Sequence, residues 1–322
     1  MTTTSTARLL DRPDGRRIAV HDLTQPPRWR SSAAFGPAVS DGELASSLTS
    51  EAPADAPVVL MIHPAPGSGR FDPDPTATAR NGVRLISVDR AGYGGSDPVG
   101  AGAFATVATA ADDVVAVLED VLPAGATAGL AGWSAGGRVA LAVAARRPDL
   151  VRRVAVIGTP APDEEVPWIP EEQRAGIDAL RGLPAADAHA ALAGAFAPML
   201  AALTGDARFG LVGIDEADAG VLADPGVVDR LRAMLDEALA QGGAGMIADI
   251  AGYTLQPWGF EPADVAAEVL LGYGAADFVG PDHGAWWEKT LPHARLEVVP
   301  EVGHLVVVPL WEQVLGHLTR QG

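Results

Sequence analysis

The sequence predicts an α/β protein: a doubly wound, mostly parallel sheet with a helical cap inserted between two halves of the core. Three observations carry that prediction. Short continuous apolar runs, of a length suited to strands buried on both faces, recur at "PVVLMIHP" (57–64), "VRLISVDR" (83–90), "ATAGLAGW" (126–133) and "VRRVAVIGT" (151–159). Helical spacing fills the gaps, at "TVATAADDVVAVLEDVL" (106–122) and "AGGRVALAVAARRP" (135–148). The rhythm stops over residues 160–265, which read as Ala-rich, acidic and helical, and strands resume at "AEVLLGYG" (267–274) and "ARLEVVP" (294–300). A last helix is expected near 309–320.

Taken in order, residues 1–24 form the N-terminal strand region of the core, with an opening strand at "GRRIAVHDLT" (15–24). Residues 25–56 are rich in Pro, Ser, Ala and Gly with no period, so a long loop or partly disordered insertion is expected. Residues 57–159 make the first half of the core, 160–265 the cap and 266–322 the second half. Within the cap, residues 188–205 carry no formal charge over 18 positions, close to the lower limit for crossing a bilayer. Their Ala and Gly content, His189 and Pro198 favour a buried helix of a soluble protein instead.

Composition excludes several classes of function. The chain has 322 residues, 48% of them apolar, and no cysteine, which removes disulfides, thiolate metal sites and cysteine nucleophiles. A formal net charge of −18 with no basic patch argues against nucleic acid and acidic membranes as partners. The nearest cationic cluster, Arg146, Arg147, Arg152 and Arg153, falls at a helix end, where pairing with the helix dipole accounts for it. Lys289 is the only lysine, and with the Ala, Gly and Pro content this points to a GC-rich bacterial genome. The N-terminus has no apolar stretch ahead of its charges, so no secretory signal and a cytoplasmic location are expected. The seven histidines show no ligand spacing, and no metal or organic cofactor is expected.

The chemistry-bearing residues fall where an open parallel sheet binds ligands, at the carboxyl ends of its strands. In "LAGWSAGG" (130–137), Ser134 sits between a strand and a helix with Gly132 and Gly136 two positions to either side. That is the context of a nucleophile elbow, whose turn tolerates only tiny residues there. A serine hydroxyl needs a base held by a third group. His304 in "PEVGHL" and Asp277 in "GYGAADFVGP" both follow strand ends, and the order Ser134, Asp277, His304 suits a triad on such a sheet. Asp282 is the rival acid, further from the strand end. His63 also ends a strand, and a role in ordering its loop is the favoured reading.

These motifs resemble the α/β-hydrolase family over nearly the whole chain. "HPAPGS" looks like its oxyanion loop, "DRAGYGGSD" like its D-x-x-G-x-G-x-S loop, "GWSAGG" like its elbow, and "GAAD" and "GH" like its acid and base sites. The segment "YTLQPWGF" resembles the cap exit of capped bacterial members, among them esterases, perhydrolases and proline-iminopeptidase-like enzymes. The resemblance implies a serine esterase acting through an acyl-enzyme, with Ser134 as nucleophile, His304 as general base and Asp277 orienting it. It places the oxyanion donors at the N–H groups of Ala65 and Ala135, because Pro64 and Pro66 have none. It leaves open amide, peptide or carbon–carbon bond hydrolysis, tailoring of a natural product, and a silent binding module. The pocket is expected to be apolar, with Trp133 beside the nucleophile and Trp258 and Phe260 near the cap exit. The 18 acids against 5 arginines in residues 160–265 are expected to favour a neutral small-molecule ester over an anionic one.

Overall fold

The computed structural model describes residues 7–24 and 56–320, so nearly all of the 25–56 insertion lies outside the described residues. One eight-stranded sheet runs through the molecule in the order β1-β2-β4-β3-β5-β6-β7-β8. Its strands are β1 (Arg8–Asp11), β2 (Arg17–Asp22), β3 (Val58–Ile62), β4 (Arg84–Val88), β5 (Ala128–Trp133), β6 (Val151–Ile157), β7 (Glu268–Gly274) and β8 (Ala294–Val299). β2 is antiparallel to both β1 and β4, and every other pair is parallel. The opening strand expected at 15–24 is therefore one arm of a hairpin. Its other arm, only four residues long and mostly exposed, carries too little apolar pattern to read.

The interior strands are buried on both faces, and the two-residue period sorts them into two cores. Val58, Leu60 and Ile62 point to the side covered by α2 (Val107–Val121) and α3 (Ala135–Arg146). Val59 and Met61 point to the other side, against Trp311, Val314 and Leu315 of a C-terminal helix. That helix is α9 (Val307–Leu318) in chain order. The chain leaves β3 to build β4 on one flank and β5 on the other, so the topological switch point lies between β3 and β5. Their carboxyl ends carry His63 and Ser134, so the two segments richest in motif flank that switch point.

Between β6 and β7 the regular elements of the described chain are all helices. The main ones are α4 (Glu171–Leu180), α5 (Ala185–Ala202), α6 (Pro225–Ala238) and α7 (Ala244–Leu255). Leu192, Met246, Ile247 and Ala251 form a small core of their own, and it reaches the sheet domain through Tyr93. The expectation of a buried helix at 188–205 needs correction. Among the described residues α5 is the one helix long and apolar enough to cross a membrane, yet only 17% of it is buried. Alanine gains little from burial, so a helix dominated by it can lie on the surface at small cost. Two further helices gave no clear sequence signal: α1 (Pro75–Arg80), six residues long, and α8 (Pro281–Thr290), where Trp287 anchors an otherwise polar segment.

The basic cluster at 146–153 is explained by ion pairs more than by the helix dipole. Arg146 meets Asp112, Arg147 meets Asp149 and Glu119, and Arg153 meets Glu268. A more buried pairing ties the β1–β2 hairpin to α2. Asp113, 5% exposed, accepts two hydrogen bonds from Arg16 and one from Arg12. Removing that carboxylate leaves two shielded cations facing each other. Asp113→Ala should cost about 2 kcal/mol in urea unfolding. A loss below about 0.5 kcal/mol would show that solvent already screens the cluster.

Candidate active site

The site begins with a backbone that approaches itself too closely for side chains. A Cβ on Gly132 would lie 2.4 Å from the Gly136 carbonyl oxygen, and one on Gly136 would lie 2.3 Å from that of Ile62. A Cβ on Gly137 would meet the Thr159 hydroxyl at 2.0 Å. The start of α3 is thus pressed against the ends of β3 and β5 and the exit of β6, and only glycine fits. The turn places Ser134 at φ 54°, ψ −120°, outside the regions that L-residues favour. Three contacts hold it there. The Ser134 N–H donates to Ile157 O (2.7 Å), while its carbonyl accepts from the Thr159 hydroxyl (2.8 Å) and the Gly137 N–H (3.1 Å). The hydroxyl caps nothing on α3 and is left free, at a partly exposed position.

His304 lies against the same junction. Its ring touches Gly158, where a Cβ would come within 3.1 Å of the ring carbon Cε1. Asp277, in the loop after β7, faces the His304 Nδ1 through Oδ2 at 2.8 Å, and its Oδ1 accepts from the Val279 N–H at 2.9 Å. Both side chains are fully buried. The Nε2 of His304 is buried with no partner among the described residues, so the ring has a fixed side and an open side. Asp282, the rival acid, is exposed on the first turn of α8.

The loop bearing His304 is held from below and above. Trp133, at the end of β5, donates its indole N–H to the His304 carbonyl at 3.0 Å and lies 5.9 Å from the imidazole, ring centre to ring centre. It is fully buried against Phe71. From the helical insert, Asp218 accepts the Gly303 and Leu305 N–H groups at 3.0 and 3.1 Å. Its second oxygen is buried without a partner, and burial pushes this carboxyl above the usual range, against the pull of those hydrogen bonds. Phe278 covers His304 at 5.1 Å and is 56% exposed, which makes it the apolar surface next to the free imidazole nitrogen.

The 63–67 loop is built around one arginine. Arg90 is 4% exposed; its guanidinium bonds the His63 carbonyl and the Asp249 carboxylate, and donates to the Pro64 carbonyl at 3.1 Å. His63 accepts the Arg90 N–H at Nε2 (3.0 Å) and donates from Nδ1 to the Pro64 carbonyl (2.7 Å). Burial first, and the Arg90 charge second, push its pKa well down, so the ring is neutral and serves as a brace. With two carbonyls taken by Arg90, Ala65 is left partly exposed at the loop's apex beside a cis Ala65–Pro66 bond. Ala135, at the first turn of α3, is likewise partly exposed.

Trp258 stacks between Phe260 and Trp287 at 6.3 and 5.8 Å and lines a cavity of about 410 Å³, while Phe260 packs behind it. Among the described residues one group has the spacing to gather round a cation: His21, Asp89 and Glu237. Asp89 already accepts the Gly69 and Gly95 N–H groups, which accounts for its place without an ion. Sequence reasoning missed Asp218, Asp249 and Phe278. The first two lie in helices without a clear period, and the third stands beside Asp277 as an ordinary loop aromatic.

The strained serine yields a stability test. Glycine accepts φ 54° without the Cβ penalty, so Ser134→Gly should be about 1 kcal/mol more stable than the native chain. Ser134→Ala keeps the Cβ and should gain little. Equal denaturation midpoints for the two variants would show that the turn is unstrained.

The model of the family described as alpha/beta hydrolase fold matches residues 57–308. No curated protein sequence matches the chain. Among solved structures, the chain is similar to an esterase from Exiguobacterium antarcticum (19% identity, TM-score 0.62), covering 96% of this chain and 97% of that one. It is equally similar in fold to epoxide hydrolases from metagenomes of hot environments (20%, TM-score 0.62), with 98% and 99% covered. A hydrolase from Pseudomonas aeruginosa matches at 20% and TM-score 0.60, with 97% of each chain covered. At such identities the likeness is one of fold, and the family match carries the assignment: the chain belongs to the α/β-hydrolase family and is a hydrolase.

Proposed function

We propose that the protein is a serine esterase that cleaves a neutral, largely apolar carboxylic ester through an acyl-enzyme. The observation that carries this reading is the His304 imidazole, fixed at Nδ1 by Asp277 at 2.8 Å and unpartnered at Nε2, set against the turn that bears Ser134. An aspartate nucleophile, as epoxide hydrolysis on this fold would need, is absent from the elbow.

In the proposed reaction Ser134 Oγ attacks the ester carbonyl carbon while His304 Nε2 takes the hydroxyl proton. Asp277 keeps the proton on Nδ1 and stabilises the imidazolium. The N–H groups of Ala65 and Ala135 receive the oxyanion of the tetrahedral intermediate. The bond to the leaving oxygen breaks as His304 returns its proton to the departing alcohol. Water, deprotonated by the same nitrogen, then attacks the acyl carbon, and His304 returns that proton to Ser134 Oγ as the bond between Oγ and the acyl carbon breaks and the acid leaves. Phe278 offers apolar surface to the substrate beside His304, and the cap, residues 160–265, roofs the site.

Kinetics on short-chain p-nitrophenyl esters test this directly. Ser134→Ala should lower kcat at least about 10⁴-fold. Activity within tenfold of the native enzyme would remove Ser134 from the mechanism. Asp218 acts as a positioning residue through its grip on the His304 loop. Asp218→Ala should therefore lower kcat about 10–100-fold with little change in KM. Asp218→Asn keeps the accepting oxygen and should restore most of that loss. Equal loss in both variants would mean that the charge of Asp218, rather than its hydrogen bonds, is what matters.

A further inference from the structure

One turn of α3 beyond Ser134, Arg138 is buried to 4% exposure without a counter-ion among the described residues. Its Nε and Nη2 share one acceptor, the Pro160 carbonyl, at 3.3 and 3.1 Å, and its Nη1 has no partner there. Two indoles flank the guanidinium, Trp258 at 4.3 Å and Trp168 at 5.9 Å from ring centre to Cζ. All three line the cavity of about 410 Å³ between the entry and exit segments of the helical insert. Ser134, Asp277 and His304 do not line it.

A cation withdrawn from water is costly unless something pairs with it. Burial draws the Arg138 pKa down to about 10, which leaves it charged at neutral pH. Two acids share the cavity wall, and both are engaged. Asp163 pairs with Arg174 at 2.8 Å and accepts the Trp168 and Ile169 N–H groups, and Glu164 faces Arg181 at 3.7 Å. The unmet electrostatic demand is therefore that of Arg138. Its planar fork fits a carboxylate, and the Trp168 indole, on which no other ring stacks among the described residues, offers a flat apolar body a surface in the same cavity.

We infer that this cavity is a binding site for an aryl or similarly flat organic monocarboxylate, held by Arg138 and packed against Trp168. The inference does not rest on the esterase reading, because occupancy can be measured without turnover. The carboxylate arrives as an unrelated free acid or as the acid product of ester cleavage, and the same chemistry recognises both.

Calorimetric titration of the full chain with phenylacetate and with uncharged phenylacetamide tests the site. The acid should bind at least tenfold more tightly than the amide, and Arg138→Met should abolish that preference. Trp168→Leu should weaken both ligands while keeping their ratio, and it reads the site independently should Arg138→Met fail to fold. Equal binding of acid and amide to the native protein, a preference that survives in Arg138→Met, or no binding of either probe would overturn the inference. Where ester turnover is present, competitive inhibition by phenylacetate assigns the carboxylate to the acid product, and non-competitive inhibition assigns it to a free effector. Both patterns require the site, and inhibition that is unchanged in Arg138→Met would count against it.

Discussion

The close approach of α3 to the ends of β3, β5 and β6 is the constraint on which the site depends. At Gly132 and Gly136 backbone, and at Gly137 the Thr159 and Val156 side chains, come within 2–3 Å of the position that a Cβ would need. That packing forces Ser134 into its strained turn and points its hydroxyl away from the helix it begins. The same pressure brings the β6 exit, with Gly158 and Thr159, against both Ser134 and His304. Ser134 and His304 therefore both pack on the same β6 exit, Ser134 through the Thr159 hydroxyl and His304 against Gly158.

The helical insert is part of this framework as well as a cover over it. Asp218 binds the backbone on both sides of His304, and Asp249 pairs with the arginine that organises the 63–67 loop. Tyr93 reinforces the second link, donating its hydroxyl to Asp249 at 2.8 Å. A movement of the insert would thus reach His304 and the 63–67 loop together. Both aspartates are buried, so each link depends on its partners staying in place.

Much of this was legible in the sequence, for a physical reason. Doubly buried strands read as continuous apolar runs, and on a parallel sheet reactive residues follow their ends, so Ser134, Asp277 and His304 stood out by position. Asp277 was separable from Asp282 only by its nearness to the strand end; in the structure Asp277 contacts the His304 ring and Asp282 lies exposed on α8. What remained hidden lacked a period or an expected partner. The alternation of β5 does not announce that Trp133 faces α9 and grips a loop 171 residues later. Alanine-rich α5 looks the same buried or exposed. Arg138 sits within the apolar run of α3, where a single charge is easily assigned to the helix surface.

The central claim is that Ser134 forms a covalent acyl intermediate with His304 as its base. Mass spectrometry after treatment with a fluorophosphonate tests it most directly. The account predicts stoichiometric phosphonylation confined to the peptide that contains Ser134, and its suppression when His304 is replaced by alanine. An unlabelled protein, a label on another residue, or undiminished labelling of His304→Ala would contradict it.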